Sequence, residues 1–170
     1  MESKLERHEF APVYNKDSKV LILGTFPSVK SRETHFYYGH PQNRFWKLLA
    51  LLCNWPIPGT IPEKKEMLLK NGIAIWDVIQ SCEITGSSDS SIKNVVPSDL
   101  SCILENSSIT QIYANGKTAQ KLYDKYQKPQ THMDIIGLPS TSPANAAYSL
   151  ERLAESWRQI LQSHFNETSF

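Results

Sequence analysis

Four short apolar runs, separated by segments of helical periodicity, dominate the hydrophobic pattern of this chain of 170 residues. They occupy residues 19–24, 73–78, 109–114 and 132–138. Continuous apolar runs of this length, without alternation of polar side chains, are typical of strands buried on both faces of a sheet. We therefore expect four buried strands.

The segments between these runs place apolar residues at helical spacing, with Phe45, Trp46, Leu48, Leu49 and Leu52 as the clearest set. This periodicity, with helix-start residues such as Pro62, predicts helices. They are expected over 43–53, 62–70, from 97 onward, 117–126 and 145–163. The stretch 81–91 is polar and rich in Ser and Gly, which predicts a loop.

Strands that alternate with helices predict an α/β fold, a three-layer αβα sandwich around a central, mainly parallel four-stranded sheet. Ligands of such sheets bind outside the carboxyl ends of the strands. We therefore expect the loops 24–28, 77–89, 115–117 and 139–146 to surround one site.

Composition narrows the class of protein without selecting a function. The length fits one domain over 1–170, and 40% hydrophobic with 21% charged residues is typical of a soluble globular protein. A net charge of +1 neither requires nor excludes a nucleic-acid partner, because a local basic rim can exist within a neutral total. Each candidate for that rim can also be explained as ordinary solvated surface. The candidates are Lys30, Arg32, Arg44, Lys47, Lys117 and Lys121.

Cofactor and targeting signals are weak. Cys53, Cys82 and Cys102 are widely spaced, and His35 and His40 have no carboxylate at metal-ligand spacing, so we expect neither a disulfide framework nor a metal or other cofactor. The first seven residues carry charges where a signal peptide needs an apolar run, and no stretch approaches transmembrane length. We expect a cytoplasmic monomer without membrane contact.

Two motifs carry specific chemistry. Residues 24–28 read Gly-Thr-Phe-Pro-Ser, and residues 37–46 read Tyr-Tyr-Gly-His-Pro-Gln-Asn-Arg-Phe-Trp. Together they resemble the first motif of the mismatch-specific uracil/thymine-DNA glycosylases. Residues 138–146, Leu-Pro-Ser-Thr-Ser-Pro-Ala-Asn-Ala, resemble the second motif of the uracil-DNA glycosylase superfamily. With Trp-Asp-Val at 76–78 and Asn-Gly-Lys at 115–117, the closer resemblance is to the DNA-deoxyinosine glycosylases, its sixth family.

The resemblance implies a monofunctional enzyme of base excision repair that acts on damaged DNA. Such an enzyme flips a deaminated base, here hypoxanthine, out of the duplex and hydrolyses its N-glycosidic bond. At the third position of the first motif most of the superfamily has a water-activating Asn or Asp, but this chain has Phe26. In the deoxyinosine enzymes a later Asn takes that role, which implies Asn43 as the catalytic residue. Without a catalytic Lys, an intact strand with an abasic site is the expected product.

The same resemblance implies the base-binding residues, and each has a structural alternative. Tyr38 takes the stacking position, but it could be a core aromatic residue. Asp77 would accept the N1–H that distinguishes hypoxanthine from adenine, or cap a loop. Asn115 would join the pocket, or form an Asn-Gly turn. Asn43 could simply cap a helix. The loop 24–27 would bring Gly24, Thr25 and Phe26 to the base, with Gly24 and Pro27 shaping the backbone.

DNA contacts are expected from the second motif and from nearby cations. Hydroxyl and backbone N–H groups in front of a helix N-terminus suit a phosphate, or merely cap that helix. Ala144 and Asn145 take the place of residues that fill the gap left by the flipped base. The expected contacts are Ser140, Thr141, Ser142, Ala144, Asn145, Arg44 and Lys117.

Three other functions remain open at this point. The base removed could be uracil, xanthine or a mismatched base, although Phe26 argues against a strong uracil enzyme. The same fold could bind nucleotides or DNA without catalysis, but no Gly-rich phosphate loop supports this. A stress or interaction protein is hinted at only by the polar segment 81–91.

Overall fold

The computed structural model describes residues 3–161. Its strands are β1 (Lys4–Arg7), β2 (Val20–Gly24), β3 (Ile73–Asp77), β4 (Ile79–Ile84), β5 (Lys93–Pro97), β6 (Gln111–Asn115) and β7 (Ile135–Leu138). Its helices are α1 (Val29–Thr34), α2 (Phe45–Cys53), α3 (Ile61–Lys70), α4 (Ser101–Glu105), α5 (Lys117–Tyr126), α6 (Lys128–Thr131) and α7 (Leu150–Trp157), with a 3₁₀ turn at Asp89–Ser91.

The four predicted strands form one parallel sheet in the order β3-β2-β6-β7. The register sets Gly24 beside Asp77 on neighbouring strands, and Asn115 beside Leu138 on another pair. The carboxyl ends of the strands therefore lie along one edge, so the loops that follow them converge there. The predicted α/β fold is confirmed.

Alternating side chains of β2 divide the core into two layers. Val20 and Ile22 pack in one apolar cluster with α2, α3 and α7, whereas Leu21 and Leu23 pack in the other with α4 and α5. The sheet is thus buried on both faces, which explains why its strands read as continuous apolar runs.

A second sheet was not predicted. Strands β1, β4 and β5 pair antiparallel in the order β1-β4-β5. The expected loop at 81–91 is therefore wrong for residues 81–84, which belong to β4. Cys82 and Ile84 point into the core, while Ser81 and Glu83 are only half-buried, so alternation hid the strand in a polar segment. The pairing also brings His8 to Gln80, whose carbonyl accepts the His8 backbone N–H at 2.7 Å.

The last predicted helix also needs correction. Helix α7 begins at Leu150, five residues later than expected, because the Ser149 hydroxyl caps it by accepting the Arg152 N–H at 3.2 Å. Residues 145–149 are not helical and contain a turn at 146–147, and residues 162–163 of the prediction lie outside the described part of the chain. Between residues 3 and 161, none of the helices has the length and apolarity needed to cross a membrane.

Candidate active site

A cavity of about 560 Å³ opens at the carboxyl edge of the parallel sheet. This volume is in the range of small-ligand sites. The cavity brings together most of the predicted site residues: Gly24, Thr25, Phe26, Tyr38, Asn43, Asp77, Asn115, Ser140, Thr141, Ser142 and Ala144. It is also lined by residues 87–90, of which 87–89 belong to the loop 77–89 expected at this edge, although none of them was named as a site residue. Arg44, Lys117 and Asn145 are not among its lining residues.

Gly24 forms a tight part of the cavity wall. A Cβ atom at this position would lie 2.4 Å from Oδ1 of Asp77 and 3.0 Å from the hydroxyl oxygen of Tyr38. A glycine is therefore required for the carboxylate and the phenol to approach the end of β2 this closely. These two distances give a steric reason for the prediction that Gly24 shapes this loop.

Asp77 ends β3 and is buried, with 4% of its surface exposed. Its Oδ2 accepts a hydrogen bond from Nε2 of His8 at 2.8 Å. Within residues 3–161 no hydrogen bond reaches the other oxygen, Oδ1, on the Gly24 side of the carboxylate. The carboxylate therefore has one oxygen held by the protein and one left for a ligand.

His8 is the main residue that sequence reasoning missed. It follows β1, and its imidazole is surrounded by rings, with centroids of Phe10 at 4.7 Å, Tyr37 at 5.7 Å and Trp76 at 6.3 Å. In the described chain, the buried Nδ1 atom has no hydrogen-bond partner. A lone histidine in a charged amino-terminal segment carries no local signal, because its partner lies 69 positions away.

Tyr38 has both a core contact and a place in the cavity. Its ring stacks on Phe45 with centroids 3.9 Å apart. The hydroxyl is buried close to the Asn115 amide, yet meets no hydrogen-bond geometry in the described residues. Burial, assisted by the negative charge of Asp77, raises the pKa of Tyr38 well above its usual range. The phenol is therefore a neutral donor facing the cavity wall.

Asn43, Thr141 and Asn115 form a closed hydrogen-bond network. The Thr141 N–H donates to Oδ1 of Asn115 at 3.0 Å, and Nδ2 of Asn115 donates to the Thr141 hydroxyl at 3.0 Å. That hydroxyl donates in turn to Oδ1 of Asn43 at 2.8 Å, which also accepts the Phe45 N–H at 3.0 Å. The direction of every bond is fixed, because backbone N–H groups can only donate.

The network determines what Asn43 can offer a ligand. Its Oδ1 is occupied by two donors, so the Nδ2 amide hydrogens remain for the cavity. The N-cap position of α2 is occupied by Arg44 and not by Asn43, but Oδ1 of Asn43, one residue earlier, does accept the first N–H of α2. The two roles are compatible, and the catalytic role of Asn43 stays a prediction.

Arg44 is placed differently from the expected DNA contact. Its guanidinium donates to the carbonyl oxygens of Thr141 at 3.4 Å, Ser142 at 2.9 Å, Asn145 at 3.0 Å and also Tyr148. Four donors are thus engaged with the loop after β7. We define this arrangement as the Arg44 clamp. It leaves one of the five N–H donors of the guanidinium, and a direct phosphate contact of Arg44 stays a prediction.

The predicted phosphate cradle is not at a helix N-terminus, because α7 begins at Leu150. Instead, the Ser140 hydroxyl accepts the Ser142 N–H at 3.1 Å and the Ser142 hydroxyl accepts the Ala144 N–H at 3.1 Å. Thr141 is fully buried, while Asn145 donates to the Ser140 carbonyl at 3.0 Å. The loop is therefore rigidified by its own side chains, and the DNA contacts of these residues stay predictions.

The expected basic rim is only partly available. Arg32 pairs with Glu6 at 3.2 Å and donates to the Gly86 carbonyl at 2.7 Å, and Lys30 lies 3.7 Å from Glu33. Lys47, Lys117 and Lys121 are exposed. Of the six predicted rim residues, Lys47 on α2 and Lys117 and Lys121 on α5 therefore remain the candidates for phosphate contacts.

Asp89 brings a second carboxylate to the cavity from the 3₁₀ turn after β4. Burial and the nearby charge of Asp77 raise its pKa. The predicted loop 77–89 ends at Asp89, but sequence reasoning assigned this residue no role, because its turn is positioned by the unpredicted second sheet. Between residues 3 and 161, no group of three or more His, Cys, Asp and Glu side chains is arranged to hold a metal ion.

Comparisons with known proteins agree on one family. The profile of the Uracil DNA glycosylase superfamily matches residues 11–162. The hypoxanthine DNA glycosylase of Methanosarcina acetivorans is 32% identical over 155 residues, covering 90% of this chain and 96% of that protein. The protein of the same description from Methanosarcina barkeri is 30% identical over 160 residues, covering 93% and 99%.

A solved structure is similar as well. The solution structure of a candidate uracil DNA glycosylase from Methanosarcina acetivorans superposes with a TM-score of 0.80 at 30% identity. The match covers 96% of this chain and 99% of that one. Fold and sequence comparisons therefore point to the same family.

Proposed function

The chain belongs to the uracil-DNA glycosylase superfamily, and we propose that this DNA glycosylase removes hypoxanthine from deoxyinosine in DNA. The observation that carries the choice of base is the Asp77 carboxylate, whose Oδ1 lies at the cavity wall beside Gly24. The names of the two archaeal relatives support the same choice.

The carboxylate distinguishes deaminated bases by hydrogen-bond polarity. Hypoxanthine carries an N1–H donor, whereas N1 of adenine is an acceptor that an anionic oxygen repels. A flipped hypoxanthine can therefore satisfy Oδ1 of Asp77, while adenine would leave this oxygen unpaired. An unpaired buried polar group costs about 1–3 kcal/mol, more when it is charged, which suffices for strong discrimination.

The Tyr38 ring and the Gly24 loop supply the shape of the slot. Tyr38 is held against Phe45 at 3.9 Å, so its position does not depend on the ligand. Its neutral hydroxyl is buried within the wall, where it has no hydrogen-bond partner among the described residues. A rigid aromatic wall and a few polar groups are what an extruded base requires.

Asn43 is the group proposed to position the attacking water. The water oxygen bonds to C1′ of the sugar and gives up one proton to solvent, while the C1′–N9 bond breaks and its electron pair leaves with the base, which then gains a proton from solvent. An amide whose oxygen is already occupied cannot accept the proton of the water. The reaction therefore relies on an oxocarbenium-like transition state, in which an oriented water suffices and donors stabilise the departing base.

Uracil and xanthine share the N–H next to a carbonyl, so the Asp77 contact alone does not exclude them. The test uses duplex oligonucleotides with hypoxanthine, uracil, xanthine or a mismatch, with chromatography of the released base and strand breakage by alkali. We expect hypoxanthine to be released fastest, with an intact strand until alkali is added. A protein that binds these duplexes but releases no base would instead be a non-catalytic binder.

Two variants test the roles of the residues. Asn43→Ala should lower the single-turnover rate at least about 100-fold, as removal of one catalytic polar group does in other enzymes. Asp77→Asn should reduce the preference for hypoxanthine. Asn106→Ala is the matched control, because Asn106 is not among the residues that line the cavity and its side chain donates to the Cys102 carbonyl at 2.7 Å. Wild-type rates in Asn43→Ala would refute its role even if the family stands.

A further inference from the structure

Building on the proposed function, we infer that His8 is a positioning residue for base recognition, because its Nε2–H holds the Asp77 carboxylate with one oxygen turned to the base. Nothing in the sequence motifs includes His8. It reaches Asp77 through the pairing of β1 with β4, which the backbone bond from His8 to Gln80 extends by one residue.

The geometry of the pair supports this role. The Nε2–Oδ2 distance is 2.8 Å, and the exposed fractions of the two side chains are 1% for His8 and 5% for Asp77. The terminal torsion of an aspartate is soft, so without a partner its two oxygens would sample a broad range of orientations. One bond to Oδ2 fixes the plane of the carboxylate and thereby directs Oδ1 toward Gly24.

The imidazole itself is held rigidly. Phe10, Tyr37 and Trp76 surround it, and its backbone N–H is bonded to the Gln80 carbonyl at 2.7 Å. The ring is therefore positioned by packing and backbone pairing rather than by the ligand. Such a preformed support reduces the ordering that binding must otherwise provide.

The bond also determines which oxygen of Asp77 is presented to the base. The Nε2–H of His8 donates to Oδ2, which leaves Oδ1 as the acceptor on the Gly24 side. An acceptor at this position suits the N1–H of hypoxanthine and not N1 of adenine, which is itself an acceptor. By orienting this acceptor, His8 contributes to the choice between a deaminated and a normal purine.

The ring-lined site allows two informative substitutions. His8→Phe keeps an aromatic ring among aromatic neighbours but removes the donor. His8→Gln places an amide N–H near the former Nε2 position and can restore the bond. Phe10→Leu is the matched control, because it removes one ring of the same cluster, 4.7 Å from the imidazole, while Tyr37, Trp76 and the backbone bond to Gln80 still hold His8 against Asp77.

The measurements are single-turnover excision of hypoxanthine, inhibition by free hypoxanthine and by free adenine, and melting temperature. For His8→Phe we expect an excision rate lowered about 10- to 100-fold and a weaker preference for hypoxanthine over adenine as inhibitor. His8→Gln should return the rate to within about threefold of wild type. Phe10→Leu should lower the melting temperature with little effect on the preference.

The outcomes separate the two proposals. An active wild type with an unchanged rate and preference in His8→Phe overturns the role of His8, and so do equal losses in His8→Phe and His8→Gln when both are folded. Should His8→Phe not fold, nitrogen NMR of the imidazole decides: a wild-type Nε2 without a proton overturns the inference. A wild type that releases no base from any lesion refutes the proposed function, and the inference falls with it.

Discussion

Replacing Arg44 tests whether the loop after β7 depends on the clamp. In Arg44→Ala four hydrogen bonds from a cation to carbonyl oxygens are lost together, and they join α2 to residues 141–148. Because Thr141 belongs to this loop, its bond to Asn43 at 2.8 Å depends on the loop position. The variant should therefore lose both stability and excision activity.

The magnitude follows from the burial of these bonds. Hydrogen bonds to charged groups contribute about 1.5–3 kcal/mol each when buried, but Arg44 is half-buried and water can replace part of each. We expect a total loss of about 3 kcal/mol. For a chain of this length that corresponds to a decrease in melting temperature of about 6–12 °C. Arg44→Lys keeps the positive charge but not the planar set of N–H donors. Its melting temperature should therefore lie between those of the wild type and Arg44→Ala.

Calorimetry and a salt titration of DNA binding distinguish a clamp from a phosphate contact. If Arg44 contacts phosphate, its removal lowers the slope of log affinity against log salt by about one and hardly changes the melting temperature. The clamp predicts the large thermal shift with a slope close to that of wild type. A melting temperature within about 2 °C of wild type, together with a reduced slope, would refute the clamp.

Three further changes have expected outcomes. Gly24→Ala would place a Cβ 2.4 Å from Asp77 Oδ1, so base excision should fall at least about 10-fold while circular dichroism stays native; an unchanged rate would contradict the tight wall. Thr141→Val keeps the volume but leaves the Asn43–Thr141 bond unmade, and kcat should fall about 10-fold with little change in KM; a change in KM alone would contradict it. For Asp89 the pKa is raised in the folded state, so its carboxylate opposes folding once the pH rises above the ordinary value of 3.8. Asp89→Asn should therefore raise the melting temperature at pH 7 and give no gain near pH 3, and an equal gain at both pH values would contradict the cause.

The parallel sheet and its loops were predictable, because their signals are local. A strand buried on both faces is a continuous apolar run, and the carboxyl edge then gathers the loops whatever their length. The two central strands, at 20–24 and 111–115, follow from this argument alone. The resemblance to the glycosylases supplied the candidate site residues, and most of these line the cavity.

The features that escaped prediction depend on distant partners. β4 alternates polar and apolar side chains and is recognisable only through its pairing with β1 and β5. His8 was missed for the same reason. Arg44 looked like a surface cation, because the carbonyls that engage it lie 97 to 104 positions further along the chain. Backbone acceptors leave no trace in side-chain patterns.

The long span of the polar network has a kinetic meaning. Asn43 and Thr141 are 98 positions apart, and His8 and Asp77 are 69 apart, so these bonds close large loops. Closing such loops is slow and happens after most local structure exists. Competence to process a lesion should thus emerge only in the final folding phase, and a partly folded chain in the cell would be inert toward DNA rather than weakly active.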